Sequence, residues 1–521
     1  MYSYYQKYLI IIIIINYNVI FSNFIFKDYS IKNIRKYEID SILNDRISTE
    51  LYYFTNIPIQ SSSRDVSIDL LKNIKNLTFN PVLGLRYSSS GFSINPIGTP
   101  GSSIWISPGA QFNYITPIIS VYSGYLFQVW GSFYKHSAYF LNESKLNKSL
   151  LESQNLKPYE YNPYLSMEYY VQTEEPSWGV DFDEAQGGIG VLSENLEIFF
   201  GKFKSSLGPF HRGNLSLSLR SPSFPQIKIN YRKKNNNKTI FDFTYFIGDL
   251  ISEIADSSVL NAYINEDFDN FSKLPWINRK IIHHRIDLHF SNNFRIGFYE
   301  QIIFGARQVP WQYLIPVNLY WSAQHAIGDF DNLQMGFDID WIHNSGRSNL
   351  AFLMDEWAPF KTFNSMNHHN WFAIQFGHSQ IVNLFNQRLY FRFENTLISP
   401  QIYEHKFPIN QVFNQGYPLG YWTKGDAVDF WLTLTLLNKN KFSPRVEFDY
   451  TIFGEPKYGV SRRFLKNKNS NRSKFNLVFE YQFNGYTKCE FNISYFKNKN
   501  FEDNLDDYFG FLVSYKYNIT Y

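Results

Sequence analysis

The final stretch of the chain, YFGFLVSYKYNITY, alternates without a break. Phe509, Phe511, Val513, Tyr515, Tyr517, Ile519 and Tyr521 are apolar, with Ser514, Lys516, Asn518 and Thr520 among the residues between them. A period of two places each set on its own face of an extended strand. The pattern recurs upstream. In VDFWLTLTL, Val428, Phe430, Leu432 and Leu434 oppose Asp429, Trp431, Thr433 and Thr435; in KFNLVFEYQF, Phe475, Leu477, Phe479, Tyr481 and Phe483 oppose Asn476, Glu480 and Gln482. RVEFDYTI and IDLHF behave alike, with Arg445, Glu447, Asp449 and Asp287 on the polar faces. Soluble sandwiches also alternate, so the period alone leaves the environment open.

The connections between strands decide it. Read back from Tyr521, they alternate between short and long. Short turns fall at Asn484–Gly485, Asn438–Lys441, Leu384–Gln387, Asn344–Arg347, Ser291–Asn293, Lys233–Asn237 and near Ser193. Long loops fall at about 455–473, 402–426, 357–368, 306–331, 249–279, 205–223 and 142–179. Tight turns at one end and long loops at the other are the arrangement of a bacterial outer-membrane barrel. The count back to Pro81 predicts an all-β, antiparallel transmembrane barrel of about 18 strands over residues 80–521. Such a ring has to pair its last strand with its first, because a lipid-facing edge leaves backbone groups unpaired. The C-terminal aromatic strand resembles the segment that barrel assembly machinery reads.

Residues 23–79 differ. Ile31, Ile34, Ile39, Ile42 and Leu43 fall near helical spacing, and Leu70, Leu71, Ile74 and Leu77 do so more cleanly, which predicts a small periplasmic helical segment. Before it, Lys7 and the apolar run Tyr8–Ile15 predict a signal peptide over residues 1–22, too short to span a bilayer as a helix.

Composition adds little to this. Aromatic residues make up 19% of the 521-residue chain, yet mean hydropathy is −0.31, as expected when apolar residues are dispersed among polar ones. A net charge of +3 gives no sign of a nucleic-acid partner, and the single cysteine, Cys489, excludes a disulfide framework. Outer-membrane lipid is the implied solvent.

Between Glu194 and Gln401 the residues become more specific. The ordered set His284-Arg285, Glu300, Tyr313, Pro316, Asp331-Asn332, Asp338 and Asp355-Glu356 resembles the capsule-assembly Wzi family. The resemblance implies an outer-membrane barrel in a Gram-negative bacterium, a surface lectin preceded by helices that helps anchor capsular polysaccharide. No enzymatic activity and no cofactor are expected. Long Asn/Lys-rich insertions and Trp357 depart from the family pattern.

In ARQVPWQYLIPVNLYWSAQHAIGDFD, Trp311, Tyr313, Tyr320 and Trp321 offer flat faces to sugar C–H edges, while Arg307, Asn318 and His325 offer hydrogen bonds. The same aromatics also suit a folded loop or an interfacial girdle. Tyr421 and Trp422 carry the same two readings. Asp355 and Glu356 are neighbours on a strand, so they point apart and cannot flank one glycosidic bond; a structural or sugar-contacting role is expected. Arg285, Asp287, Arg392, Glu394, Arg445, Glu447 and Asp449 either fill the lumen with paired charges or line a pore. His283-His284 and His368-His369 diverge as strand neighbours, and no metal site is expected. The expected function is a non-enzymatic, polysaccharide-binding barrel lectin; a porin or solute channel is the alternative, and a barrel enzyme the third reading.

Overall fold

The computed structural model describes residues 31–48, 51–55, 57, 77–88, 103–118, 124–140, 169–173, 179–219, 221–235, 238–258, 276–356, 371–385, 387–437, 442–454, 465, 470–483, 487–499 and 505–518. The signal peptide, the stretch Leu70–Ile74 and the pair His368-His369 lie outside these residues. Helix α1 spans Ile31–Leu43, followed by β1 (Tyr53–Thr55). The wall begins with β2 (Leu77–Ser88), β3 (Ser103–Pro117) and β4 (Leu126–Phe140). Then come β5 (Tyr169–Thr173), β6 (Gly179–Leu192), β7 (Leu196–Phe203) and the short β8 (Ser205–Leu207). Next are β9 (Phe224–Asn235), β10 (Lys238–Ala255), β11 (Trp276–Ser291) and β12 (Phe294–Gly305). Two short helices, α2 (Trp311–Leu314) and α3 (Tyr320–Ile327), precede β13 (Asn332–His343) and β14 (Gly346–Glu356). β15 (Trp371–Leu384) and β16 (Gln387–Ile398) lead to a long loop holding the two-residue β17 (Phe413–Asn414) and β18 (Tyr417–Pro418). The chain ends with β19 (Ala427–Leu437), β20 (Phe442–Phe453), β21 (Ser470–Gln482), β22 (Thr487–Lys499) and β23 (Leu505–Asn518).

The wall is a closed antiparallel barrel. Its ring runs β2, β3, β4, β6, β7, β9 through β16 and β19 through β23, eighteen neighbours in all among the described residues. Val82 pairs with Asn518 and Ser88 with Leu512, which joins the first strand to the last. Among the described residues most turns and loops fall where the alternation predicts them, but β10 runs on to Ala255 and β11 begins at Trp276, inside the expected 249–279 loop, and Leu77, expected in the helical segment, opens β2. The β11–β12 turn is Asn292-Asn293, and the β13–β14 turn is Asn344-Ser345, both of whose residues take positive φ.

Burial along the strands is inverted relative to a soluble protein. On β12, outward-facing Phe298 is 46% exposed, while inward-facing Arg295 is fully buried. On β16 the inward residues Arg392 and Glu394 are likewise buried. An apolar outside around a charged inside is the pattern of a wall whose outer solvent is lipid.

The lumen is filled. A buried cluster joins inner-wall residues Phe224, Phe246, Ile281, Ile303, Leu353 and Ile398 to residues of the interior segments, among them Ile47, Tyr52, Leu207, Leu215, Tyr403 and Leu419. Ile57 closes a second cluster with Trp130, Phe199 and Phe203. β1 pairs with β8, Tyr53 opposite Leu207, so the segment after α1 and the loop after β7 hold each other inside the ring. The Ile47 N–H donates to Asn292 O at 2.8 Å, which fixes the end of the α1 segment at the short β11–β12 turn.

Candidate functional site

The interior is organised around a carboxylate that comes from α1. Glu38 Oε1 accepts from Arg392 Nη1 at 2.6 Å, Arg347 Nη1 at 3.1 Å and Ser379 Oγ at 2.6 Å. Its Oε2 accepts from Tyr390 Oη at 2.5 Å and lies 2.9 Å from His211 Nε2. The wall arginines are paired further: Arg347 with Asp340 at 2.7 Å, Arg392 Nε with Glu394 at 2.6 Å. Glu394 also accepts the backbone N–H groups of His211 and Arg212 at 2.9 and 3.0 Å, so one network ties α1, the wall and the loop after β8 together.

Two further knots flank it. Arg285 and Arg295 share Asp287 and Asp338, with Arg285 Nη1 2.6 Å from Asp338 Oδ2, and Arg295 stacks 4.2 Å above the Tyr52 ring. Tyr52 Oη in turn donates to Asp242 at 2.5 Å. On the other side, the guanidinium groups of Arg212 and Arg472 lie 5.1 Å and 4.9 Å from the centre of the Trp422 ring and bond Asp429 and Asp449. Arg445 pairs with Glu447 at 2.6 Å. The polar-face charges named from the sequence therefore point inward and pair. A buried ion needs partners and hydrogen bonds to be tolerated, and these have them.

The loop over residues 399–426 folds inward. Arg279 Nη1 donates to the carbonyls of Ile409 and Gln411 at 3.1 and 2.7 Å, and its Nη2 to that of Phe413. Asp355 accepts from the Tyr403 N–H at 2.7 Å and from Gln334 Nε2 at 2.9 Å. Tyr403 Oη donates to Leu215 O, and Tyr421 Oη to Asp429 at 2.6 Å. Burial pushes the Glu404 carboxyl up to about 7, against the pull of Lys424 and of its hydrogen bond with Gln411. Burial lowers His405 to about 4, where it remains a neutral acceptor for the Phe407 N–H.

The loop over residues 306–331 goes the other way. Ile282, Ile302, Phe304 and Leu333 alternate with the inward residues of their strands, so they lie on the outer wall, and Tyr313, Tyr320 and Ala323 pack against them. His284 and Glu300 are also outward-facing. Their side chains meet at 3.0 Å, His284 Nδ1 lies 3.0 Å from Pro316 O, and Glu300 accepts the Tyr320 N–H at 2.7 Å. A carboxylate from the wall thus caps the positive end of α3. Gly328 ends that helix at φ 114°, a conformation natural to glycine.

The residues expected to meet sugar are spread over these surfaces. Tyr313 and Tyr320 are buried; Tyr313 Oη donates to Asp331 at 2.8 Å and Tyr320 stacks on His284 at 4.1 Å. Arg307 bonds Asp331 at the base of the loop, and Asn318 Nδ2 donates to Gln312 O at 2.9 Å. Trp311 and Trp321 are exposed, and His325 Nδ1 sits 2.7 Å from Trp321 O. Asp355 holds the inward loop, Tyr421 is buried and Trp422 is half-buried beside two arginines; Glu356 ends β14, and its side chain lies outside the described residues. Glu38, His211, Arg212, Arg279 and Arg347 carry the interior yet were not singled out from the sequence. An acid set among the isoleucines of α1 was the available signal for Glu38.

The fold and its interior define an outer-membrane β-barrel whose bore is occupied by its own chain. No protein-family model and no curated protein matches the sequence. Among solved structures, the chain is similar to Wzi, an outer membrane protein involved in group 1 capsule assembly in Escherichia coli and described as a carbohydrate-binding β-barrel. The TM-score is 0.55 at 12% identity, covering 95% of this chain and 99% of that one. It is also matched to Acinetobacter baumannii OccAB4 (TM-score 0.44, 10% identity, 86% and 99% coverage) and Pseudomonas aeruginosa OprD (0.43, 9%, 86% and 96%).

Proposed function

We propose that this protein is a non-conducting, non-enzymatic outer-membrane barrel that binds capsular or exopolysaccharide at the cell surface. The observation that carries the reading is the Glu38 knot: a porin needs its bore, and here α1, the loop after β8 and the inward 399–426 loop are bonded into it. The shared fold with Wzi, whose described activity is carbohydrate binding, points in the same direction.

The sugar contact belongs on the external rim where the two loops meet. Phe330 and Phe407 lie 6.0 Å apart there, Lys406 Nζ reaches Asp329 O, and Arg307 bonds Asp331, the residue after Phe330. Aromatic faces and charged donors of this kind make weak contacts with a sugar, and a polymer that repeats the same unit sums them. Asp355 accepts the Tyr403 N–H, which supports a structural role over a hydrolytic one.

Two measurements on the purified barrel test this. Planar bilayers should show no steady conductance, and immobilised surface polysaccharide should retain the protein, with retention falling in a Phe407→Ala, Arg307→Ala double variant. Steady ohmic conductance together with no retention would establish the channel instead.

A further inference from the structure

Residues 308–328 contain no Asp, Glu, Lys or Arg, although they form one of the longest external loops. The only charged groups are at its ends: Arg307 and Asp331 bond each other, and Asp329 contacts Lys406 of the neighbouring loop through its carbonyl. Between those ends the segment lies along the outer wall. Tyr245 Oη is 3.4 Å from Tyr313 O, and the Tyr320 N–H reaches Glu300, which is five residues down β12 from Gly305. At about 3.3 Å per residue, that is a descent of roughly 16 Å along the strand.

The face turned away from the wall is mostly apolar. Trp311 is 81% exposed, Val317 79% and Leu319 63%, with Ile315 and Trp321 also exposed; Gln312, Ser322 and His325 are the exposed polar residues among them, and none is an acid, a lysine or an arginine. Phe298 and Ile286, cross-strand partners one outward position along from Glu300 and His284, are exposed wall residues next to it. A patch of this kind, free of charge and contiguous with a lipid-facing band, has the character of that band.

We propose that residues 308–328 form a re-entrant hairpin embedded in the acyl-chain layer of the outer leaflet. Trp311, Val317, Leu319 and Trp321 contact lipid, and the hairpin seals the His284–Glu300 pair from it. The paired Arg307 and Asp331 mark where the chain re-enters water. An ionisable pair on the outer wall is costly against hydrocarbon. Here His284 is covered by the Tyr320 ring and the Pro316 carbonyl, and Glu300 by His284 and the Tyr320 N–H. On this assignment Trp311 and Trp321 are lipid anchors rather than sugar platforms.

The test uses the full barrel in vesicles of a phospholipid carrying a photoactivatable diazirine in mid-chain. After irradiation and peptide mapping, adducts are expected on residues 311–321 as well as on the wall peptide that contains Phe298. Adducts on the Phe298 peptide without any on 311–321 would overturn the proposal. A second measurement places a spin label at Val317→Cys or Leu319→Cys in a Cys489→Ser background. Relaxation by dissolved oxygen with loss of relaxation by a water-soluble nickel chelate is expected. The reverse, matching a label at the exposed turn position Phe385→Cys, would mean that the loop stands in water and is free to meet polysaccharide.

Discussion

Two loops leave the long-loop rim of this barrel and fold to opposite sides of its wall. The 399–426 loop carries Glu404, Lys406, Lys424 and Asp426, and it turns inward, where Arg279 and Asp355 hold its backbone. The 306–331 loop keeps its charges at its ends and turns outward over Ile302, Phe304 and Leu333. Both bury polar backbone, and both rely on one wall carboxylate that accepts a loop N–H: Asp355 for Tyr403, Glu300 for Tyr320. The difference lies in what the far side of each loop meets. Charge is affordable where other charges can answer it, and a segment without charge suits a surface where none can.

The comparison can be pressed hardest on the inside. Glu38→Ala removes the carboxylate that faces Arg347 and Arg392 and leaves both guanidinium groups short of a partner in a buried site. A loss of about 3–5 kcal/mol in the stability of the docked plug is expected. It should be read as conductance bursts in bilayers and faster hydrogen exchange across α1. Unchanged exchange would mean that α1 is held by its apolar contacts alone.

Asp355→Ala tests the inward strap. It orphans the buried Tyr403 N–H, with an expected cost of roughly 1–3 kcal/mol, seen as earlier proteolytic cleavage within 399–426 while the wall stays intact. Gly328→Ala makes the matching test outside. The position has φ of 114°, and an added Cβ would stand 2.9 Å from the Phe330 ring. A loosening of about 1 kcal/mol is expected, confined to exchange rates across 306–331.

The smallest effect is a pH dependence that only the inward loop should show. The Glu404 carboxyl, raised to about 7 from an ordinary 4.5, holds a proton in the folded loop at pH values where the unfolded loop has lost it. Its contribution is therefore complete below about 4.5, declines as pH rises and is gone above about 7. Protection factors across 403–411, which remove the intrinsic pH dependence of exchange, should fall between pH 5 and pH 8, and Glu404→Gln should flatten that fall. An equal slope across 311–321 would remove the contrast between the loops.

Much of the wall was legible because lipid imposes a simple rule at every strand: apolar outward, polar inward, short turns at one end. Phe298 against Arg295, and Val428 against Asp429, follow it directly. The direction of a long loop follows no such rule. Trp311 and Trp321 read equally well as sugar faces and as membrane anchors, because an indole serves both. The discriminating feature, an uncharged run bounded by Arg307 and Asp329, lies in what the sequence lacks rather than in any residue it contains. Glu38 was missed for a related reason. Its partners Arg347 and Arg392 are 309 and 354 residues away, and no local pattern reports a contact over that span.

That separation bears on how the molecule is made. The helix carrying Glu38 emerges first, and the arginines that hold it emerge long after. β2, synthesised early, cannot meet β23 until the chain is complete. A helix bonded from several directions inside a ring is most easily installed while the seam between those two strands is still open. The order of assembly would then be helix docking first and strand closure last. A topology so dominated by remote contacts should also form slowly.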